Sequence, residues 1–92
     1  MNDDRYRLQI SPTARRQLTE QLPEAVAVAA YEFIVGPLLD NPRRVGKQLH
    51  APLQDRFSAR RGTYRVIYRI DDQHRRVTVV GIFQRSDAYR RR

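Results

Sequence analysis

Three β-type runs, Arg56–Arg60, Tyr64–Asp71 and Arg76–Phe83, follow one another across short turns, Gly62-Thr63 and Asp71-Asp72-Gln73-His74. Strands joined this closely have no room for a crossover, so they must be antiparallel neighbours in one meander. Side chains alternate along a strand, which fixes what each face carries. In the middle run Tyr64, Val66, Tyr68 and Ile70 share one side, and Arg65, Ile67 and Arg69 share the other. The run before it divides the same way, with Phe57 and Ala59 opposite Arg56, Ser58 and Arg60. An apolar face and an arginine face are therefore expected on adjacent strands, with Arg56, Arg60 and Arg65 converging on one surface. The last run carries Val77, Val79, Val80 and Ile82. It reads as apolar on both faces, as an interior strand would be.

The apolar face needs a cover, and the first half of the chain supplies one. Tyr6–Ile10 alternates as a short strand. Ser11-Pro12 is a helix start, with Ser as N-cap and Pro in the first turn. Ala14, Leu18 and Leu22 then recur every four residues. Pro23 opens a second helix as another first-turn proline, with Val26, Ala29, Ala30, Phe33 and Ile34 as its apolar stripe. Gly36-Pro37 should kink or end that helix, with Leu38 and Leu39 adding one more turn before Asn41-Pro42. Residues 43–54 read as a loop. The expected order is β-α-α-β-β-β, an α+β fold with a helical hairpin packed on one face of a small antiparallel sheet. The 92 residues fit a single domain spanning 1–92, without repeat or linker.

Charge narrows the function. Eighteen Lys and Arg against ten Asp and Glu give a net charge of +8, and Lys47 is the only lysine. Guanidinium forks match phosphate oxygens and stack on bases, which suits RNA. There is no cysteine, which excludes disulfides and thiolate ligands. The histidines, His50 and His74, stand apart as ordinary surface residues without ligand spacing, so no metal or other cofactor is expected. No apolar stretch reaches the ~20 residues of a membrane helix. The polar start Met1-Asn2-Asp3-Asp4 does not resemble a signal peptide, so the cytoplasm is the expected location.

Attack of a ribose 2′-hydroxyl on its phosphate needs three things: charge stabilisation on phosphorus, removal of the 2′ proton, and a proton for the departing 5′-oxygen. Guanidinium groups supply the first. They are poor bases. Tyr89, flanked by Arg85 and Arg90, is a candidate acid or base if its pKa falls. A basic sheet face also serves as a plain RNA platform, so both readings stand on these residues alone.

The segment from Phe57 to Asp71, with Arg61-Gly62-Thr63-Tyr64-Arg65 at its turn, resembles the central signature of the RelE/ParE toxin superfamily. Pro42, Gly46-Lys47, Leu49 and Leu53 match that family's loop. Val80-Gly81 and Arg85-Ser86-Asp87-Ala88-Tyr89-Arg90 match its ending, so the resemblance runs from about Tyr6 to Arg90. It implies a toxin of a type II toxin–antitoxin module. In the RelE-like branch this is a ribosome-dependent endoribonuclease that cuts mRNA and halts translation, and in the ParE-like branch a gyrase inhibitor. Carried over position by position, it makes Arg60, Arg65, Arg85 and Tyr89 the catalytic candidates. Arg56, Ser58 and Lys47 become the substrate-binding ones. Ser58 stands where some members carry a lysine, and Gln84 where many carry a histidine, so the group that takes the 2′ proton is open. The implied partners are the ribosome, mRNA and an antitoxin that folds onto the domain in a hetero-oligomer. Val28, Tyr31 and Val35, off the main helical stripe, are candidate antitoxin contacts. A gyrase inhibitor and a non-catalytic RNA-binding protein are the alternatives.

Overall fold

The computed structural model describes residues 5–84. Strand β1 (Arg7–Ile10) leads into helix α1 (Pro12–Arg16), which runs on as a π-helical segment, Gln17–Gln21. Helix α2 (Glu24–Phe33) runs on in the same way through Ile34–Leu38. The remaining strands are β2 (Lys47–Gln48), β3 (Phe57–Arg61), β4 (Tyr64–Asp71) and β5 (Arg76–Gln84). They form one sheet in the order β1-β5-β4-β3-β2. The α+β class and the meander are as expected. The sheet is mixed, however, because β1 joins the edge of β5 in parallel. Alternation along β1 fixes its inward face but not the direction of its neighbour.

Helix boundaries follow from local chemistry. The Ser11 hydroxyl accepts from the Ala14 amide at 3.0 Å, capping α1. Pro23 sits at the N-cap of α2, one position before the first turn. Pro37 lies inside the π-helical segment, where a widened turn accommodates the missing N–H without ending the helix. The chain stays helical to Asp40.

Both helices cover the face carrying Ala59, Val66, Tyr68, Val77, Val79 and Ile82, all of them buried. Ala30, Phe33, Ile34 and Leu38 of α2 complete that core, but Ala29 is exposed. The stripe is narrower than the expectation because α2 has sheet on only one side.

Two further corrections concern the strands. Residues 47–48, read as loop, pair with β3. β5 is interior, between β1 and β4, but it is not apolar on both faces. Its register against β4 slips between Ile67 and Tyr68, which pair with Gly81 and Val79, leaving Val80 as an extra residue. That bulge resets the alternation, so Val77, Val79 and Ile82 all point into one core. Beyond the end of β1 the bulged edge finds side-chain partners. Ser11 Oγ donates to the Val80 carbonyl at 2.8 Å, and the Ile82 amide donates to Gln17 Oε1 at 2.7 Å.

Candidate functional site

The uncovered face of the sheet carries the arginines. Register places Arg60 opposite Arg65 and Ser58 opposite Ile67 across β3 and β4. Lys47 of β2 stands opposite Ser58. Directly opposed residues share a face, so Lys47, Ser58, Arg60 and Arg65 all project to the open side. They line one groove of about 560 Å³, together with His50 and Arg61.

The wall of this groove is the segment before β3, which is tied down at several points. The Tyr68 hydroxyl, buried in the core, donates to the Pro42 carbonyl at 2.6 Å. Burial pushes that phenol up to about 12, so it stays a proton donor across the physiological range. Gly46 lies so close to β3 that a Cβ there would sit 2.8 Å from the Ser58 carbonyl oxygen and also collide with the Tyr68 hydroxyl. The Leu49 amide donates to the Arg56 carbonyl at 2.9 Å, and Gln48 Nε2 to the Gln54 carbonyl at 2.6 Å. The Leu53 amide closes a turn on the His50 carbonyl at 2.9 Å. Lys47 and His50 are therefore held beside the basic strands by backbone bonding.

Among the described residues, no acidic one lines the groove. Several carboxylates of the described residues are committed elsewhere. Asp72 accepts from Arg43 and Tyr6, and these hydrogen bonds hold its pKa below the usual carboxylate value. Asp71 is lowered by its hydrogen bond to His74, and Asp40 pairs with Arg5 at 2.7 Å. Opposed guanidiniums without a counter-ion among the described residues leave a surface poised for an anion with several oxygens. The groove can hold a phosphodiester and stabilise charge building on it. Among the described residues, no three His, Cys, Asp or Glu side chains cluster as a metal would need.

Of the residues singled out in the sequence, Lys47, Ser58, Arg60 and Arg65 come together. Arg56 does not line the groove. Its Nε is buried without a hydrogen bond, and Asp55 Oδ1 lies 3.9 Å away. Arg85 and Tyr89, with Asp87 and Arg90, lie outside the described residues. The sequence reading missed His50 and Arg61. His50 reaches the groove because its segment doubles back along β3, and the cue for that was the nearby Gly46-Lys47. Arg61 has the parity of the covered face, yet it sits at the strand end with its guanidinium 4.4 Å from the centre of the Phe33 ring.

A second groove, of about 580 Å³, lies on the helical side and is mainly apolar. Leu18, Leu22, Ala27, Val28 and Tyr31 line it, with Glu24, Glu32 and Arg15 at its edges. Val28 and Tyr31 are 51% and 50% exposed there, whereas Val35 packs against the core. This groove offers no cluster of groups for phosphoryl transfer. Among the described residues, no helix is long and apolar enough to cross a membrane.

Residues 3–89 match the family model described as the ParE toxin of the type II toxin–antitoxin system parDE. The chain is 52% identical over 91 residues to Toxin RelE of Mycobacterium tuberculosis, covering 98% of this chain and 93% of that protein. It is 48% identical over 86 residues to Toxin RelG of the same organism, covering 94% and 98%. Its fold is similar to the toxin–antitoxin complex RelBE2 of Mycobacterium tuberculosis, with a TM-score of 0.84 and 46% identity over 88% of this chain and 99% of that one. The isolated RelE toxin of E. coli shares the fold at a TM-score of 0.71 and 24% identity, over 91% and 90% of the two chains.

Proposed function

The chain belongs to the RelE/ParE superfamily of type II toxins, and on that premise we propose that it is an endoribonuclease that cuts mRNA on the ribosome. The observation that carries this reading is the groove where Lys47, Ser58, Arg60 and Arg65 converge with no carboxylate among the described residues that line it. In the reaction, the 2′-oxygen of the ribose bonds to phosphorus while the bond from phosphorus to the 5′-oxygen breaks. Negative charge grows on the equatorial oxygens, and Arg60 and Arg65 stabilise it without help from a metal. Lys47 and Ser58 hold the flanking backbone, and Arg56, just before β3 and outside the groove lining, adds only to the positive field around it. Arg85 and Tyr89 complete the clamp and the proton transfers. The products carry a 2′,3′-cyclic phosphate and a free 5′-hydroxyl.

A cognate antitoxin holds the toxin inactive in the cytoplasm. The RelBE2 complex shows a relative of 46% identity assembled with its antitoxin. An amphipathic segment of such a partner fits the apolar groove at Val28 and Tyr31. Its acidic residues would neutralise the arginine face.

The test is to map mRNA ends after incubation with the purified chain, with and without ribosomes. Cleavage within translated codons only when ribosomes are present supports the reading, and intact mRNA in both arms overturns it. The matching family model is described as a ParE toxin, and gyrase inhibition, which the resemblance to the ParE-like branch implies, is the second reading. A supercoiling assay separates the two, because an RNA-cutting toxin leaves gyrase active.

A further inference from the structure

Phe83 is one of the few large apolar side chains left exposed, at 47%. It stands on the open face of β5, opposite Arg65, which in turn stands opposite Arg60. The three side chains form one row across β3, β4 and β5, spaced by roughly the 4.8 Å of neighbouring strands. Gly81 lies two residues before Phe83 on the same face. A Cβ at Gly81 would come within 2.8 Å of Phe83 Cζ and 2.9 Å of Cε2. The ring therefore lies down across the glycine, against the sheet, one strand away from Arg65 in the register.

Single-stranded nucleic acid is held by this pairing of parts, a basic track for the phosphates and an aromatic ring for a base. Unpaired RNA bases stack on such rings on sheet surfaces. We propose that Phe83 is the stacking platform for an unpaired base of the RNA whose phosphate Arg60 and Arg65 hold. This rests on the reading of the groove as an RNA site, and it adds a subsite that selects for an unstacked base next to the cut.

The test uses the full chain and 2′-O-methyl oligoribonucleotides, which bind but cannot be cut, free and on ribosomes. Phe83→Ala should weaken binding about five- to a hundredfold, the range for losing one stacked base. Phe83→Leu, which keeps apolar volume, should lose nearly as much. An abasic site walked along the oligonucleotide should weaken wild type at one position and leave Phe83→Ala unchanged there. The native chain has no tryptophan, so Phe83→Trp adds a single reporter whose emission should quench as RNA binds. Equal affinity of wild type and Phe83→Ala overturns the Phe83 assignment and leaves the groove reading standing. So does a Phe83→Trp emission that responds to an antitoxin segment or to removal of residues 85–92 but not to RNA. If wild type binds no oligonucleotide in either setting, the groove reading itself falls and takes the subsite with it.

Discussion

Arg60 and Arg65 face each other across two strands, in a groove with no acidic lining among the described residues. Like charges placed this way weaken a sheet by about 0.2–1 kcal/mol. Removing either one should therefore raise the melting temperature of the free toxin by roughly 1–8 °C, read by thermal circular dichroism. A lower melting temperature would mean that the pair supports the fold instead of a ligand. Asp72 is the opposite case, a carboxylate committed to the fold. Its pKa is held below 3.8, chiefly by hydrogen bonds from Arg43 and Tyr6. A depressed folded pKa stabilises at neutral pH, and the gain fades as acid protonates the group. Wild type should therefore be more stable than Asp72→Asn at pH 7. The two should converge as pH falls from about 3.8 through the lower folded value, in denaturant titrations at stepped pH. At this scale the sequence was most legible on β3 and β4. Period-two alternation alone put Ser58, Arg60 and Arg65 on one face. It could not put His50 there, because a residue between strands has no parity to read.

The segment between α2 and β3 is where sequence reasoning stopped at a loop, and it builds one wall of the groove. Its position depends on two contacts that only the tertiary structure creates, Gly46 against the Ser58 carbonyl and the Tyr68 hydroxyl on the Pro42 carbonyl. Gly46→Ala should push the segment off β3. It should destabilise the domain by about 1–3 kcal/mol, as overpacking does, and displace Lys47 from the groove. Tyr68→Phe leaves the Pro42 carbonyl short of a partner, at about 1–2 kcal/mol. Urea unfolding measures both, and wild-type stability in Gly46→Ala would contradict the packing. The bulge at Val80 was hidden for a related reason. Four apolar residues in six positions, Val77 to Ile82, fit a strand buried on both faces as well as one that slips its register. Only the pairing with β4 decides between them.

For the whole molecule, the proposed RNA reading rests on the charge of +8 and the grouping of Lys47, Arg60, Arg61 and Arg65 along one groove. Binding to single-stranded RNA should weaken with salt, and each lost phosphate contact should reduce the slope of log K against log[salt] by about 0.7. Arg60→Ala should show this reduction, whereas Arg15→Ala, on the helical side, should not. The central claim is that this groove performs the cut, and the rate of mRNA cleavage on programmed ribosomes by folded Arg65→Ala tests it most directly. Loss of one preorganised charge donor predicts a fall of about two to three orders of magnitude, with the circular dichroism spectrum unchanged. Cleavage at the wild-type rate by the folded variant would contradict it.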